Sequence, residues 1–284
     1  MPPPPKKQLP RTTPSLTPTS GVFERVAPVA QVDSGGIKVS LYGKAKTGKT
    51  RLISTFPKPI LIIGAEDGTR SIRNVEGVDF VLLREADEVD ELASGAVARG
   101  YQTVAVDTAS ALQDLILAEI LGLKELPVQR TWGMASRDQY GQCSMRLKTL
   151  LRKVLAVPVN VVVTAHERSF GDEGGGADQL VPSIGSALSP SAATWLNGAV
   201  EYVCQTFIRS REETKTTVIG KGTPNQKTVE TKVKSDKKEY CLRVGPHEVY
   251  MTGFRLPPGV ELPDAITNPS YDKIKQLIDG EPVE

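Results

Sequence analysis

Short, uninterrupted apolar runs alternate with helical patterns through the middle of the chain. Pro59–Gly64, Val78–Leu83, Thr103–Asp107 and Val159–Thr164 are each five or six residues long and apolar almost throughout. Such runs fit strands covered on both faces, as in a parallel sheet. Between them the spacing predicts helices over 87–99, 109–121 and 135–156. In the last of these Tyr140, Cys143, Leu147, Leu150, Leu151, Val154 and Leu155 recur at helical intervals and form one apolar face. Strand–helix alternation of this kind predicts an α/β fold with a mostly parallel central sheet. After about residue 200 the pattern changes to antiparallel β-hairpins: Tyr202–Ile208, Lys227–Lys234, Tyr240–Val244 and Glu248–Thr252.

Val39, Leu41 and Tyr42 add a further short strand, and it leads into Gly43-Lys44-Ala45-Lys46-Thr47-Gly48-Lys49-Thr50. This octet fits Gly-x-x-x-x-Gly-Lys-[Ser/Thr], the phosphate-binding loop. At average residue usage it arises by chance in about one chain in a hundred of this length, and the preceding strand and following helical stretch, stopped at Pro57, make an accident rarer. The expectation is a nucleotide site holding ATP and Mg²⁺. Gly43 and Gly48 permit positive φ, so that loop amides converge on phosphate oxygens, and the helix beginning near Lys49 adds its positive end. Lys49 reaches the β- and γ-phosphates, and Thr50 ligates Mg²⁺. Lys44 and Lys46 either touch phosphate or face water.

Two other strand ends carry carboxylates. Asp107 closes the run Thr103–Asp107 as in a Walker B strand and would hold Mg²⁺ through water. Glu66, at the end of Ile60–Glu66, is placed to activate the water attacking the γ-phosphate, the other reading being a turn or helix start at Gly68. His166 follows another apolar run and is a candidate γ-phosphate sensor, against a plain structural role.

Composition adds boundaries rather than identity. The net charge of +2 is too small to argue for nucleic acid by itself, and no apolar run approaches the length of a membrane span. The N-terminal residues show no apolar leader, and Cys143, Cys204 and Cys241 form no metal-ligand cluster with His166 or His247, so a cytoplasmic, reducing setting is expected. Residues 1–21 hold seven prolines, three basic side chains and no acids, which predicts a disordered tail. The expected organisation is that tail, a core over 22–255 with a basic β-hairpin region at 200–255, and a C-terminal extension over 256–284. Residues 208–243 contain ten Lys/Arg against five Asp/Glu, a track for phosphates or simply a solvated edge.

These elements, in this order, resemble the RecA-like recombinase core. More narrowly, Ala65-Glu66-Asp67-Gly68, Val106-Asp107-Thr108, Trp132 with Tyr140-Gly141, and Thr164-Ala165-His166-Glu167 resemble the small phage-encoded RecA-core ATPases that act with single-strand annealing proteins. The likeness spans about residues 36–255. It implies a DNA-stimulated ATPase that binds single-stranded DNA, assembles into a filament or ring with ATP at a subunit interface, and works beside a single-strand DNA-binding protein in a host bacterial cytoplasm. Glu66 then matches the water-activating glutamate and Asp107 the Mg²⁺-linked aspartate. His166 stands where recombinases carry a glutamine coupling the γ-phosphate to DNA. The cation that recombinases supply from a neighbouring subunit has no counterpart in Gly185–Thr194, which leaves Arg209, Arg211 and Lys221 as candidates. Phe23 either inserts into the next subunit or packs on its own core.

Two segments are expected to be mobile DNA-facing loops: Gly122–Arg137, with Lys124, Arg130, Trp132 and Arg137, and Glu167–Gly185, with Arg168 and Phe170. Arginines on phosphates and an aromatic ring on a base are the components of sequence-tolerant single-strand binding. Asp172, Glu173 and Asp178 oppose it, and Trp132 equally suits packing. The leading expectation is a recombination or annealing ATPase. Alternatives are a nucleotide-gated DNA-binding module with incidental hydrolysis, and an ATPase of phage DNA replication or packaging.

Overall fold

The computed structural model describes residues 35–123, 135–170, 183–219 and 227–283. Its centre is a sheet in the order β10-β8-β7-β1-β5-β4-β2-β3, with β6 paired to β5 and β9 to β7. The strands are β1 (Lys38–Gly43), β2 (Ile60–Gly64), β3 (Val78–Leu82), β4 (Thr103–Asp107), β5 (Asn160–Phe170), β6 (Ser183–Ser186), β7 (Tyr202–Ile219), β8 (Lys227–Arg243), β9 (Gly253–Phe254) and β10 (Ala265–Thr267). From β3 across to β7 every neighbour is parallel, and β8 and β10 extend the sheet antiparallel. The mostly parallel α/β fold expected from the apolar runs is the observed one.

Helices cover both faces. On one, α2 (Glu88–Ala98), α3 (Ala109–Ile120), α4 (Arg137–Leu155) and α5 (Pro190–Ala199) pack on Leu61, Ile63, Val104, Val106, Val161 and Val163. On the other, α1 (Lys49–Ile53) and α6 (Tyr271–Ile278) pack on Val39, Leu41, Ile60, Ile62, Ala105 and Val162. Neighbouring strand residues therefore feed opposite cores, which is why the runs are apolar at every position rather than alternately. α4 buries Cys143, Leu147, Leu150, Leu151 and Val154, but Tyr140 in its first turn is exposed, outside the apolar face drawn for it.

Three hairpin expectations change. Lys227–Lys234 and Tyr240–Val244 fuse into the one strand β8, which pairs with β7 as a long ribbon whose register shifts at Ser210/Glu212. Glu248–Thr252 forms no ladder: it meets β6 through the single bridge Ile184–Tyr250 and lies beside Arg243, whose guanidinium sits 4.4 Å from the Tyr250 ring centroid. Glu167–Phe170, expected in a loop, continues β5 and pairs antiparallel with β6. Phe23, Lys124, Arg130, Trp132, Asp172, Glu173, Asp178, Lys221 and the tail over 1–21 fall outside the described residues.

Candidate functional site

Parallel register collects the chemistry at one end of the sheet. Gly43, the last residue of β1, lies opposite His166 on β5 and Thr206 on β7, while Gly64 at the end of β2 lies opposite Asp107 on β4. Open α/β sheets place ligands at these carboxyl ends.

The loop between β1 and α1 is built differently from the expectation at one point. Its positive φ values fall at Lys46 (65°) and Gly48 (93°). Gly43 serves instead by lacking a side chain: a Cβ there would stand 2.3 Å from Thr206 Oγ1 and 2.4 Å from the Thr206 carbonyl oxygen. Thr47 anchors the loop, donating to or accepting from Thr206 Oγ1 at 2.7 Å and approaching the Lys44 carbonyl at the same distance. Lys44, Ala45 and Lys46 are exposed at the loop's crest. α1 has only five helical residues, so the loop amides outweigh any contribution from its dipole.

Lys49 is 7% exposed and curls back over the loop, its Nζ donating to the carbonyls of Gly43 and Lys44, each at 2.9 Å. Burial pushes its ammonium below the ordinary lysine value, against the opposing pull of Asp107, Glu66 and Glu167. A buried cation satisfied only by neutral carbonyls is well prepared for an anion. Thr50 donates to Asp107 Oδ2 at 2.7 Å, and Thr164 on β5 donates to Asp107 Oδ1 at 2.5 Å. Both carboxylate oxygens are thus oriented, as expected of an aspartate that steers a hydrated cation. Gly68 leaves the space beside them unfilled, since an added Cβ there would come into ordinary van der Waals contact with both Asp107 Oδ2 and Thr50 Oγ1, 3.8 Å from each. The hydroxyl, the carboxylate and this clearance fit Mg²⁺ carried by a triphosphate.

Glu66 lies not on β2, which ends at Gly64, but in the following turn, with its side chain 50% exposed. Its Oε1 receives the Thr108 hydroxyl at 3.2 Å and lies 3.3 Å from His166 Nε2. The His166 contact holds the Glu66 carboxyl below its ordinary range. Thr108 also caps α3, accepting from the Ala111 amide, so the carboxylate is tied to the helix that follows Asp107. Lys49, Thr50, Glu66, Asp107 and His166 therefore gather at one end of the sheet although they span residues 49–166.

Sequence reasoning quoted Thr108 and Thr164 within motifs without giving them a supporting role, and it missed Thr206. A hydroxyl residue next to Asp107, and another two before His166, were the available signals. It also missed a polar chain joining β5, β7 and β8. Gln205 donates to Glu167 at 2.7 Å, and Arg243 donates to Gln205 at 3.2 Å and to both oxygens of Asp264 at 2.6 and 2.9 Å.

Of the residues proposed for DNA, Arg137 is exposed at the start of α4. Arg168 and Phe170 stand on β5, the Arg168 guanidinium 5.5 Å from the Phe170 ring centroid. Arg209 and Arg211 both lean on Glu239, with Nε at 3.2 and 3.6 Å from its carboxylate. No metal-binding group of three or more His, Cys, Asp or Glu side chains occurs among the described residues, and none of their helices is long and apolar enough to cross a membrane.

A strand entering a Gly-x-x-x-x-Gly-Lys-Thr loop, with an oriented aspartate at the end of β4 on the far side of β5, defines a P-loop ATPase fold. The AAA domain profile matches residues 35–255, and the chain belongs to that family. Among solved structures, a KaiC-like protein from the hyperthermophilic archaeon Pyrococcus horikoshii is similar over 73% of this chain and 85% of its own, with 14% identity and a TM-score of 0.36. No curated protein matches the sequence.

Proposed function

We propose that this protein is an ATP-dependent, single-stranded-DNA-binding ATPase of RecA type that assists recombination or annealing. The observation that carries the reading is the course of β5. Along this one strand Thr164 holds Asp107, His166 meets Glu66, and Arg168 and Phe170 follow two and four residues further on. A change at the nucleotide's terminal phosphate thus has a covalent route to a cation and an aromatic ring suited to a nucleic-acid strand.

In the hydrolytic step Lys49 turns from its loop carbonyls to the β- and γ-phosphate oxygens. Glu66 orients a water and takes its proton as the water oxygen bonds to the γ-phosphorus and the bond to the β-phosphate's bridging oxygen breaks, leaving ADP and phosphate. Mg²⁺, held by Thr50 with Asp107 acting through water, would neutralise charge on the phosphates. His166 exchanges its Glu66 contact for the γ-phosphate, and β5 shifts with it. Self-assembly with ATP at a subunit interface, and a companion single-strand DNA-binding protein, complete the proposal.

Steady-state ATP turnover with and without single-stranded DNA tests it. Stimulation by DNA, lost in Glu66→Gln together with turnover while DNA stays trapped on the ATP-bound protein, is the expected result. Turnover indifferent to DNA, with no nucleotide-dependent DNA binding, would remove the recombination role and leave the ATPase.

A further inference from the structure

A line of polar side chains crosses the carboxyl end of the sheet. Gln205 on β7 stands opposite Tyr42 of β1 on one side and opposite Arg243 of β8 on the other. Its amide is used at both ends: Oε1 accepts from Arg243 Nε at 3.2 Å, and Nε2 donates to Glu167 Oε2 at 2.7 Å. Gln205 is 3% exposed, and an amide buried so deeply is stable only with its oxygen and nitrogen both paired. Arg243 is itself fixed, by its ion pair with Asp264 and by the Phe207 and Tyr250 rings, whose centroids lie 5.0 and 4.4 Å from its guanidinium.

β1 lies between β5 and β7 in the sheet and ends at Gly43, opposite His166. The bond from Gln205 to Glu167 therefore bridges the end of the strand that leads into the phosphate loop. Glu167 follows His166 directly, at the point where β5 parts from β1 and pairs onward with β6. The His166 backbone is held as well: its amide donates to Ser110 Oγ at 3.0 Å, and its carbonyl accepts from the Ala187 amide at 2.7 Å. His166 is thus braced by α3 and the end of β6 through its own backbone, and by β7 through its neighbour.

We propose that Gln205 is a positioning residue for ATP hydrolysis: through Glu167 it holds His166 where Nε2 meets Glu66. The inference rests on the ATPase reading, in which Glu66 takes the proton of the attacking water. Gln205 touches neither nucleotide nor water in that scheme and acts only through the strand it anchors. A misplacement of about 1 Å costs about a hundredfold in rate. Losing the brace therefore lowers turnover without weakening ATP binding.

Gln205→Leu and an exchanged pair, Gln205→Glu with Glu167→Gln, test this without changing the local charge. The first removes the bond; the second rebuilds it in reverse, with the amide on β5 and the carboxylate on β7 facing Arg243. In Gln205→Leu, kcat for ATP should fall about 10- to 100-fold with KM unchanged. The chain has two histidines, so imidazole NMR of the ligand-free protein reads the brace directly. The His166 signals should move, whereas those of His247, whose Nδ1 accepts from the Val249 and Tyr250 amides, should not. The exchanged pair should restore both kcat and the His166 signals. If Gln205→Leu does not fold, Gln205→Asn, one methylene short of Glu167, takes its place with the same readings expected. Unmoved His166 signals or a parental kcat would overturn the proposal. So would a shift of both histidines with kcat and KM worsened together, the mark of a packing residue, or an exchanged pair that restores nothing. If the parent itself hydrolyses no ATP, the ATPase reading fails and takes the catalytic role with it, while the ligand-free spectra still decide whether Gln205 holds His166.

Discussion

Replacing Lys49 by methionine separates what this residue does for the fold from what it does for the ligand. In the structure its ammonium is buried and satisfied by two carbonyls, at 2.9 Å each. Hydrogen bonds from a charged donor contribute about 1.5–3 kcal/mol each. Against them stands the desolvation of a buried ion, several kcal/mol in effect. Burial places the folded pKa of Lys49 below its unfolded value, so folding disfavours the charged form. The sign follows: stability is reduced while pH is below the folded pKa and recovers as pH rises through it towards the unfolded value. At neutral pH the two terms nearly cancel, and methionine fills the same volume without a charge. Lys49→Met should therefore shift the melting temperature of the ligand-free protein by no more than about 2–4 °C, the equivalent of about 1 kcal/mol for a domain of this size. Mg²⁺-ATP at a hundred times its dissociation constant adds about 2.7 kcal/mol to the parent, a rise of about 5–11 °C. The variant should show none of that rise. Differential scanning fluorimetry with and without Mg²⁺-ATP reads both numbers. An undiminished ATP shift in Lys49→Met would refute the reasoning, because the loop would then bind phosphate without its cation.

His166→Leu removes the contact that holds the Glu66 carboxyl low, so the acid limb of the pH–turnover profile should move to higher pH while the alkaline side is unchanged. The sign is that of a depressed carboxylate: its stabilisation is present above the unfolded pKa and lost as pH falls through the folded one. An unshifted acid limb would show that Glu66 is not the base that titrates. Gly43→Ala drives a methyl group into Thr206 backbone and side chain at once, so β1 and β7 must part. Urea unfolding should show a loss of at least about 1–3 kcal/mol, with nucleotide binding abolished. Wild-type stability in that variant would contradict the close approach at Gly43.

The parallel part of the sheet was legible because both of its faces are covered, which writes each strand as a bare apolar run between turn residues. The phosphate loop and the position of Asp107 at the end of β4 were legible for a related reason: both follow from local spacing along or after a strand. The extension of β5 through Arg168 and Phe170 was not. Beyond Ala165 the strand leaves the doubly covered core, its residues turn polar, and only pairing with β6 keeps it extended. Val249, Tyr250 and Met251 misled in the opposite direction: Tyr250 lies under the Arg243 guanidinium, and Val249 and Met251 meet Ile184 through backbone hydrogen bonds without building a ladder. α5 is short and rich in small residues, and Pro190 after Ser189 was its main local mark. α6 had a clearer one, Ser270 as a cap followed by Ile274, Leu277 and Ile278. Contacts such as Glu66 with His166 join residues a hundred positions apart, and no local pattern encodes that kind of proximity.

β7 begins inside the sheet and ends in the ribbon without interruption. Thr206, near its root, touches both Thr47 and the space above Gly43, and Ile219 lies thirteen residues further along. At about 3.4 Å per residue that is an arm of about 40 Å. One continuous strand therefore joins the outer ribbon to the residue whose hydroxyl meets Thr47 of the phosphate loop.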